Sequence, residues 1–234
     1  MWASVPPEAI GHRAAIFPAN LGYPPNDPLP RGAHVAVTDE VAHVLAQVPS
    51  DVTRLHVVAH SYGATVALAA LPQLRGRLAS LFLAEPVLFG ALAKEPDTDP
   101  ALVADYRGFA DVLADDTNAG TEAWLEGFID YWNRPGSWKR LPEPMRDYAR
   151  SVGWKMFQEV RICFGADTPF DDYAIDVPTT LIMGERTTSH SRAVQARLAR
   201  NRSNVKLVEL AGTGHMAPVT HPALVHAEIA KHFR

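Results

Sequence analysis

Cysteine is nearly absent: Cys163 is the only one in 234 residues. An internal disulfide framework and a multi-cysteine metal site are thereby excluded. No apolar run approaches the roughly 18 residues that a membrane-spanning helix needs. An excess of positive charge is also missing, since 22 basic residues face 26 acidic ones, for a formal charge of −4. A general nucleic-acid binder would carry a basic stripe, so none is expected as a partner. The opening residues Met1 to Pro7 show neither a basic region nor an apolar core of signal-peptide type, and the default expectation is a cytoplasmic protein. No internal repeat or low-complexity tract occurs. Hydrophobic residues make up 47% and charged residues 21%, which is the balance of a folded α/β domain with a substantial core.

The chain divides into three textures. Residues 1–89 alternate short apolar runs with helical patterns, the rhythm of a parallel sheet. Ala14 to Phe17 reads as a strand followed by a Pro/Gly/Asn-rich loop. Val37, Val41, Val44, Leu45 and Val48 space as a helix after an N-cap at Thr38 or Asp39. Leu55 to Ala59 is a buried strand, Tyr62 to Leu71 a helix, and Leu81 to Ala84 the next strand. Residues 90–176 hold four of the five tryptophans and short helical patterns with no evident strand, which predicts a helical insert over the sheet. Residues 177–234 return to the earlier rhythm: strands at Thr179–Met183 and Val205–Leu210, a helix from Ser191 to Arg200, and a final helix opened by Pro222.

Two short patterns carry chemistry. Ala59-His60-Ser61-Tyr62-Gly63 ends a strand and begins a helix. Small residues two positions either side let the chain pinch tightly at Ser61, which lifts its hydroxyl above the sheet. The backbone N–H of Tyr62, at the helix start, is then aimed where an oxyanion would form. Gly212-Thr213-Gly214-His215-Met216 follows the last strand, so His215 sits on a flexible loop at the same sheet edge, placed to act as a general base. The other histidines read as surface or packing groups.

With these motifs the chain resembles an α/β-hydrolase-fold enzyme, most strongly at Ala59–Gly63, Leu83–Pro86, Met183–Arg186 and Gly212–His215. The resemblance implies a mostly parallel sheet flanked by helices, with residues 1–89 and 177–234 as core and 90–176 as a cap. It implies serine hydrolysis through an acyl-enzyme, with neither metal nor cofactor. The family's usual acid position falls on Thr187, which cannot ionise. Glu85, at the end of the strand after the nucleophile helix, is the expected acid, with Asp167, Asp171 and Asp172 as weaker candidates. His60, Phe89, Trp124, Phe128 and Trp132, with Trp138 and Trp154 less so, are expected to line a pocket for a small apolar ester-like substrate. Carbon–carbon hydrolysis and acyl transfer would use the same parts. The arginines at 192, 197, 200 and 202 read as a solvated helix face, and Cys163 as a buried small hydrophobe.

The family's early strands and His-Gly oxyanion loop have no counterpart before Ser61. One oxyanion donor of two is therefore identifiable, and the expectation is a chain whose start is internal to a longer protein, or a degenerate paralogue. A catalytically dead module that binds an apolar ligand or a partner is the competing expectation.

Overall fold

The computed structural model describes residues 1–234. Two 3₁₀ turns, Trp2–Ser4 and Pro7–Ile10, precede an irregular stretch. The chain then runs α1 (Val37–Ala46), β1 (Leu55–His60), α2 (Tyr62–Ala69), α3 (Leu71–Leu74) and β2 (Leu78–Ala84). Between β2 and β3 come α4 (Phe89–Lys94), α5 (Pro100–Leu113), α6 (Glu122–Trp132), α7 (Ser137–Arg140) and α8 (Glu143–Gly165), then a 3₁₀ turn, Phe170–Asp172. The chain closes with β3 (Thr179–Gly184), α9 (Ser189–Ala199), β4 (Val205–Leu210), α10 (Ala217–Thr220) and α11 (Pro222–His232).

The four strands form one parallel sheet in the order β1-β2-β3-β4. Side chains alternate across it with the period of a pleated strand. Leu81, Leu83 and Leu181 join the core shared with α1, α2, α4, α8 and α9. Phe82, Ala84 and Ile182 face the opposite way, onto Val225 and Ile229 of α11. Helices thus cover both faces, as a parallel sheet requires. A third cluster, built on Trp124, Leu125, Trp138 and Phe157, lies wholly among α5, α6, α7 and α8 and their connections.

Two local expectations are corrected. Ala14 to Phe17 forms no strand, and Ile16 and Phe17 are exposed. An apolar run gains nothing from extension unless a neighbouring strand takes its backbone hydrogen bonds, and β1 has only β2 beside it. Helix α1 begins at Val37, so Thr38 and Asp39 lie in its first turn. The Asp39 carboxylate instead reaches back to accept the Ala36 N–H at 2.8 Å.

The parallel register decides where chemistry can occur. His60 pairs with Ala84, Ala84 with Ile182, and Gly184 with Leu210. All four strands therefore end at one edge, and Ser61, Glu85 and the 211–216 loop emerge there together, which is where open α/β sheets bind ligands.

Candidate active site

Ser61 joins β1 to α2 with φ 54° and ψ −126°. A non-glycine residue at positive φ costs of order 1–3 kcal/mol and persists only where its surroundings enforce it. Here the Ser61 N–H donates to the Ala84 carbonyl at 2.9 Å, while the Ser61 carbonyl accepts from Ala64 and Thr65 to start the helix. Tyr62 is the first residue of α2, so its N–H has no acceptor within the helix and is free for a ligand.

The Ser61 Oγ lies 2.9 Å from Nε2 of His215. Nδ1 of the same ring lies 2.7 Å from Oε2 of Glu85. Glu85 and His215 are 2% and 4% exposed, so neither is freely solvated. Burial pushes the Glu85 carboxyl up, but the His215 hydrogen bond and charge, with donors from Thr187 and Gly184, outweigh it and hold the group at about 2. Glu85 is thus an ionised acceptor, the His215 proton sits on Nδ1, and Nε2 is left to accept from the serine hydroxyl.

The surroundings of Glu85 explain the threonine at 187. The Thr187 hydroxyl donates to Oε2 at 2.6 Å, the Ser191 hydroxyl to the same oxygen at 2.8 Å, and the Gly184 N–H to Oε1 at 2.7 Å. With His215 these donors engage both oxygens of the carboxylate and fix its orientation. Glu85 itself has φ 45°, a second strained residue in the same cluster. Gly184 must be glycine, because a Cβ there would fall 2.6 Å from the Thr213 carbonyl oxygen. That close approach lets the histidine loop lie against the end of β3. Glu185 faces away from the imidazole and accepts the Gly212 N–H at 2.7 Å. Asp167 and Asp171 form surface ion pairs with Lys94 and Arg200, and Asp172 is exposed.

His60 does not face a ligand space. Its Nε2–H donates to the His215 carbonyl at 2.9 Å, bracing the backbone of the histidine loop. Burial, and then the neighbouring His215, push its pKa down to about 3, so it is neutral.

A cavity of about 40 Å³ opens beside Ser61, lined among others by Tyr62, Phe128, Tyr131, Trp132, Glu159 and Cys163. Of the five residues expected to line it, Phe128 and Trp132 do. Phe89 is instead packed among Phe109, Trp132, Phe164 and His190. Trp124 is buried in the insert's own cluster, stacked on Phe128 and donating its indole N–H to the Leu113 carbonyl at 3.0 Å. Trp138 and Trp154 belong to that cluster too. Trp132 lies flat on the His215 ring, centroids 3.8 Å apart and planes at 25°.

Sequence reading missed Glu159, Tyr131 and Cys163 at the cavity. Lys155 and Glu159 are spaced i, i+4, which reads as an exposed helix pair, yet Lys155 is fully buried. Cys163 lies one turn further along α8, and burial pushes its thiol up to about 12. Of the arginines, Arg192 pairs with Glu209, and Arg197 and Arg200 with Asp97. Arg202 instead donates to the Phe170 and Tyr173 carbonyls and fastens that turn. No group of three or more His, Cys, Asp or Glu side chains is arranged to hold a metal ion, and no helix is long and apolar enough to cross a membrane.

The chain matches the alpha/beta hydrolase family over residues 1–228. No curated protein matches it. Among solved structures, an alpha/beta hydrolase from a Medee basin deep-sea metagenome library is 19% identical with a TM-score of 0.68, covering 92% of this chain and 77% of that one. An esterase from Exiguobacterium antarcticum is 16% identical with a TM-score of 0.65, covering 92% and 79%. A meta-cleavage product hydrolase from Pseudomonas fluorescens is 13% identical with a TM-score of 0.65, covering 99% and 84%. Likeness at these identities is likeness of fold.

Proposed function

The chain belongs to the alpha/beta hydrolase family, and from that premise we propose that it is a serine hydrolase cleaving small ester-like substrates through an acyl-enzyme. The observation that carries the reading is the unbroken line Ser61 Oγ–His215 Nε2, His215 Nδ1–Glu85 Oε2, at 2.9 and 2.7 Å. In this reading Ser61 attacks the carbonyl carbon while its proton passes to Nε2 of His215. Glu85 balances the imidazolium that forms, without taking its proton. The Tyr62 N–H donates to the developing oxyanion. Nε2–H then protonates the leaving alcohol as the tetrahedral adduct collapses to the acyl-enzyme. Water enters, gives a proton to Nε2, attacks the acyl carbon and releases the acid, and the proton returns to Ser61.

The helices between β2 and β3 act as a roof, since α6 and α8 supply Phe128, Trp132, Glu159 and Cys163 to the cavity beside Ser61. Solved structures of similar fold include an esterase and a meta-cleavage product hydrolase. A cavity of about 40 Å³, far below the roughly 300–1,000 Å³ of a drug-sized ligand site, supports a short acyl group over a bulky substrate. Activity-based labelling with a small alkyl fluorophosphonate tests the reading. Covalent modification that disappears in Ser61→Ala supports it, and a folded wild-type protein that stays unlabelled overturns it in favour of a binding module.

A further inference from the structure

The His215 ring is held in its own plane by two hydrogen bonds, Nδ1 to Glu85 and Nε2 to Ser61. Two fixed points leave a ring free to rock about the line between them, so what packs on its faces matters. His60 packs against it with ring centroids 4.8 Å apart and planes at 40°. Burial, and then the neighbouring His215, keep His60 neutral, with a pKa of about 3, so it sets no like charge beside the imidazole. Trp132 is the last residue of α6, and it lies over the same ring at 3.8 Å and 25°. The indole is itself wedged: Phe89 packs against it, and Phe164 stacks on Phe89.

The closeness of that contact distinguishes it from ordinary aromatic packing. Neutral aromatic pairs settle offset or edge-on, with centroids about 4.5–7 Å apart. The neighbouring pairs obey this: Phe89 lies 5.9 Å from Trp132 and 6.0 Å from Phe164. Trp132 and His215 are closer and nearly face to face. A cation, unlike a neutral ring, is drawn to the centre of an indole face. The arrangement therefore suits an imidazolium better than an imidazole.

We propose that Trp132 is a positioning residue for the general base, its indole face steadying His215 in line with Ser61 and Glu85 and stabilising the imidazolium that forms during the reaction. The inference rests on the serine-hydrolase reading above and adds a residue of the roof to its chemistry. His215 gains a proton twice per turnover, from Ser61 in acylation and from water in deacylation. The ring is neutral at rest and cationic as each barrier is approached. Its attraction to the indole face thus grows toward the transition state, and an interaction of that kind raises kcat rather than ground-state affinity.

Fluorinated tryptophans placed at position 132 alone test this. Fluorine withdraws electron density from the indole face and changes its size little. With p-nitrophenyl acetate, increasing fluorination should lower kcat in steps, reaching a loss of about five- to tenfold. KM should hold, because both half-reactions slow together. Trp132→Phe, which keeps an aromatic face, should retain more activity than Trp132→Leu, which keeps only apolar bulk. A kcat that stays level along the fluorinated series overturns the inference, and so does a change confined to KM, which would assign the indole to substrate binding. The fluorinated proteins differ from the natural one by a few atoms, and an unchanged urea midpoint separates loss of charge stabilisation from loss of fold. The fluorophosphonate probe separates the two levels of the argument. Labelling at Ser61 with a level fluorine series sinks only the role of Trp132, whereas absence of both labelling and turnover sinks the hydrolase reading and this role together.

Discussion

Ser61, Glu85 and His215 are separated in turn by 24 and 130 positions in the chain yet meet within two hydrogen bonds. The acid is the least obvious member. Its site is prepared by four donors, of which Thr187 occupies the position where the resemblance implies a carboxylate. In this chain a carboxylate stands at the neighbouring strand end, and Thr187 donates a hydrogen bond to it. Glu85→Gln leaves an amide that can no longer balance the imidazolium, so kcat should fall on the order of 10⁴-fold with little change in labelling-site identity. Steady-state kinetics on a short p-nitrophenyl ester measures it. His60 makes a separate prediction about pH. Its folded pKa is lowered, so the stability it contributes is complete above its unfolded value of 6.5 and is lost progressively as pH falls toward 3. Between pH 7 and pH 5 the wild-type protein should therefore lose roughly 1–2 kcal/mol more unfolding free energy than His60→Gln, as read from urea titrations at the two pH values.

At the scale of elements, α6 does two jobs. Its Thr121 N-cap accepts the Trp124 N–H at 3.3 Å and starts a helix. Its far end delivers Tyr131 and Trp132 to the cavity. Trp132 then covers one face of the His215 ring and, under the proposed ester hydrolysis, would limit the space for an acyl chain. Trp132→Ala should enlarge that space and shift the ratio of p-nitrophenyl octanoate to acetate hydrolysis toward the longer chain by about tenfold or more, at a cost of about 3 kcal/mol in stability. An unchanged chain-length profile in a folded variant would show that the indole is no barrier. The apolar spacing of α6 was readable in advance: Trp124, Phe128 and Trp132 lie on one stripe. Which of them turn toward Ser61 was not, because residues on one helical stripe can meet different partners along its length. Trp124 ended in the insert's own core, while Phe128 and Trp132 reached the cavity.

On the scale of the whole molecule, the insert is tied to the sheet layer by charge as well as by apolar contact. Lys155 of α8 reaches Glu40 of α1, across a distance of 115 positions in the chain. Taking away one partner of a buried ion pair leaves the other uncompensated. Lys155→Met should therefore destabilise the protein by about 3–5 kcal/mol, measured as a drop in the urea midpoint. A variant as stable as wild type would mean that the two carboxylates take up protons or water at little cost.

The parallel sheet, the helical insert, the serine on its tight turn, the histidine on its glycine loop and Glu85 as the foremost candidate acid were all legible in the residues. These follow from local physics: a buried strand reads as an apolar run, a pinched turn demands small neighbours, and proline and glycine mark where helices begin and loops bend. The fold was needed to show which donors hold Glu85 against the imidazole, which aromatics border the cavity, and that an ordinary-looking Lys-Glu spacing on α8 is buried. Those outcomes depend on side chains from distant strands and helices converging at one sheet edge. Burial and shared hydrogen-bond donors, absent from any single stretch of chain, set their geometry and charge.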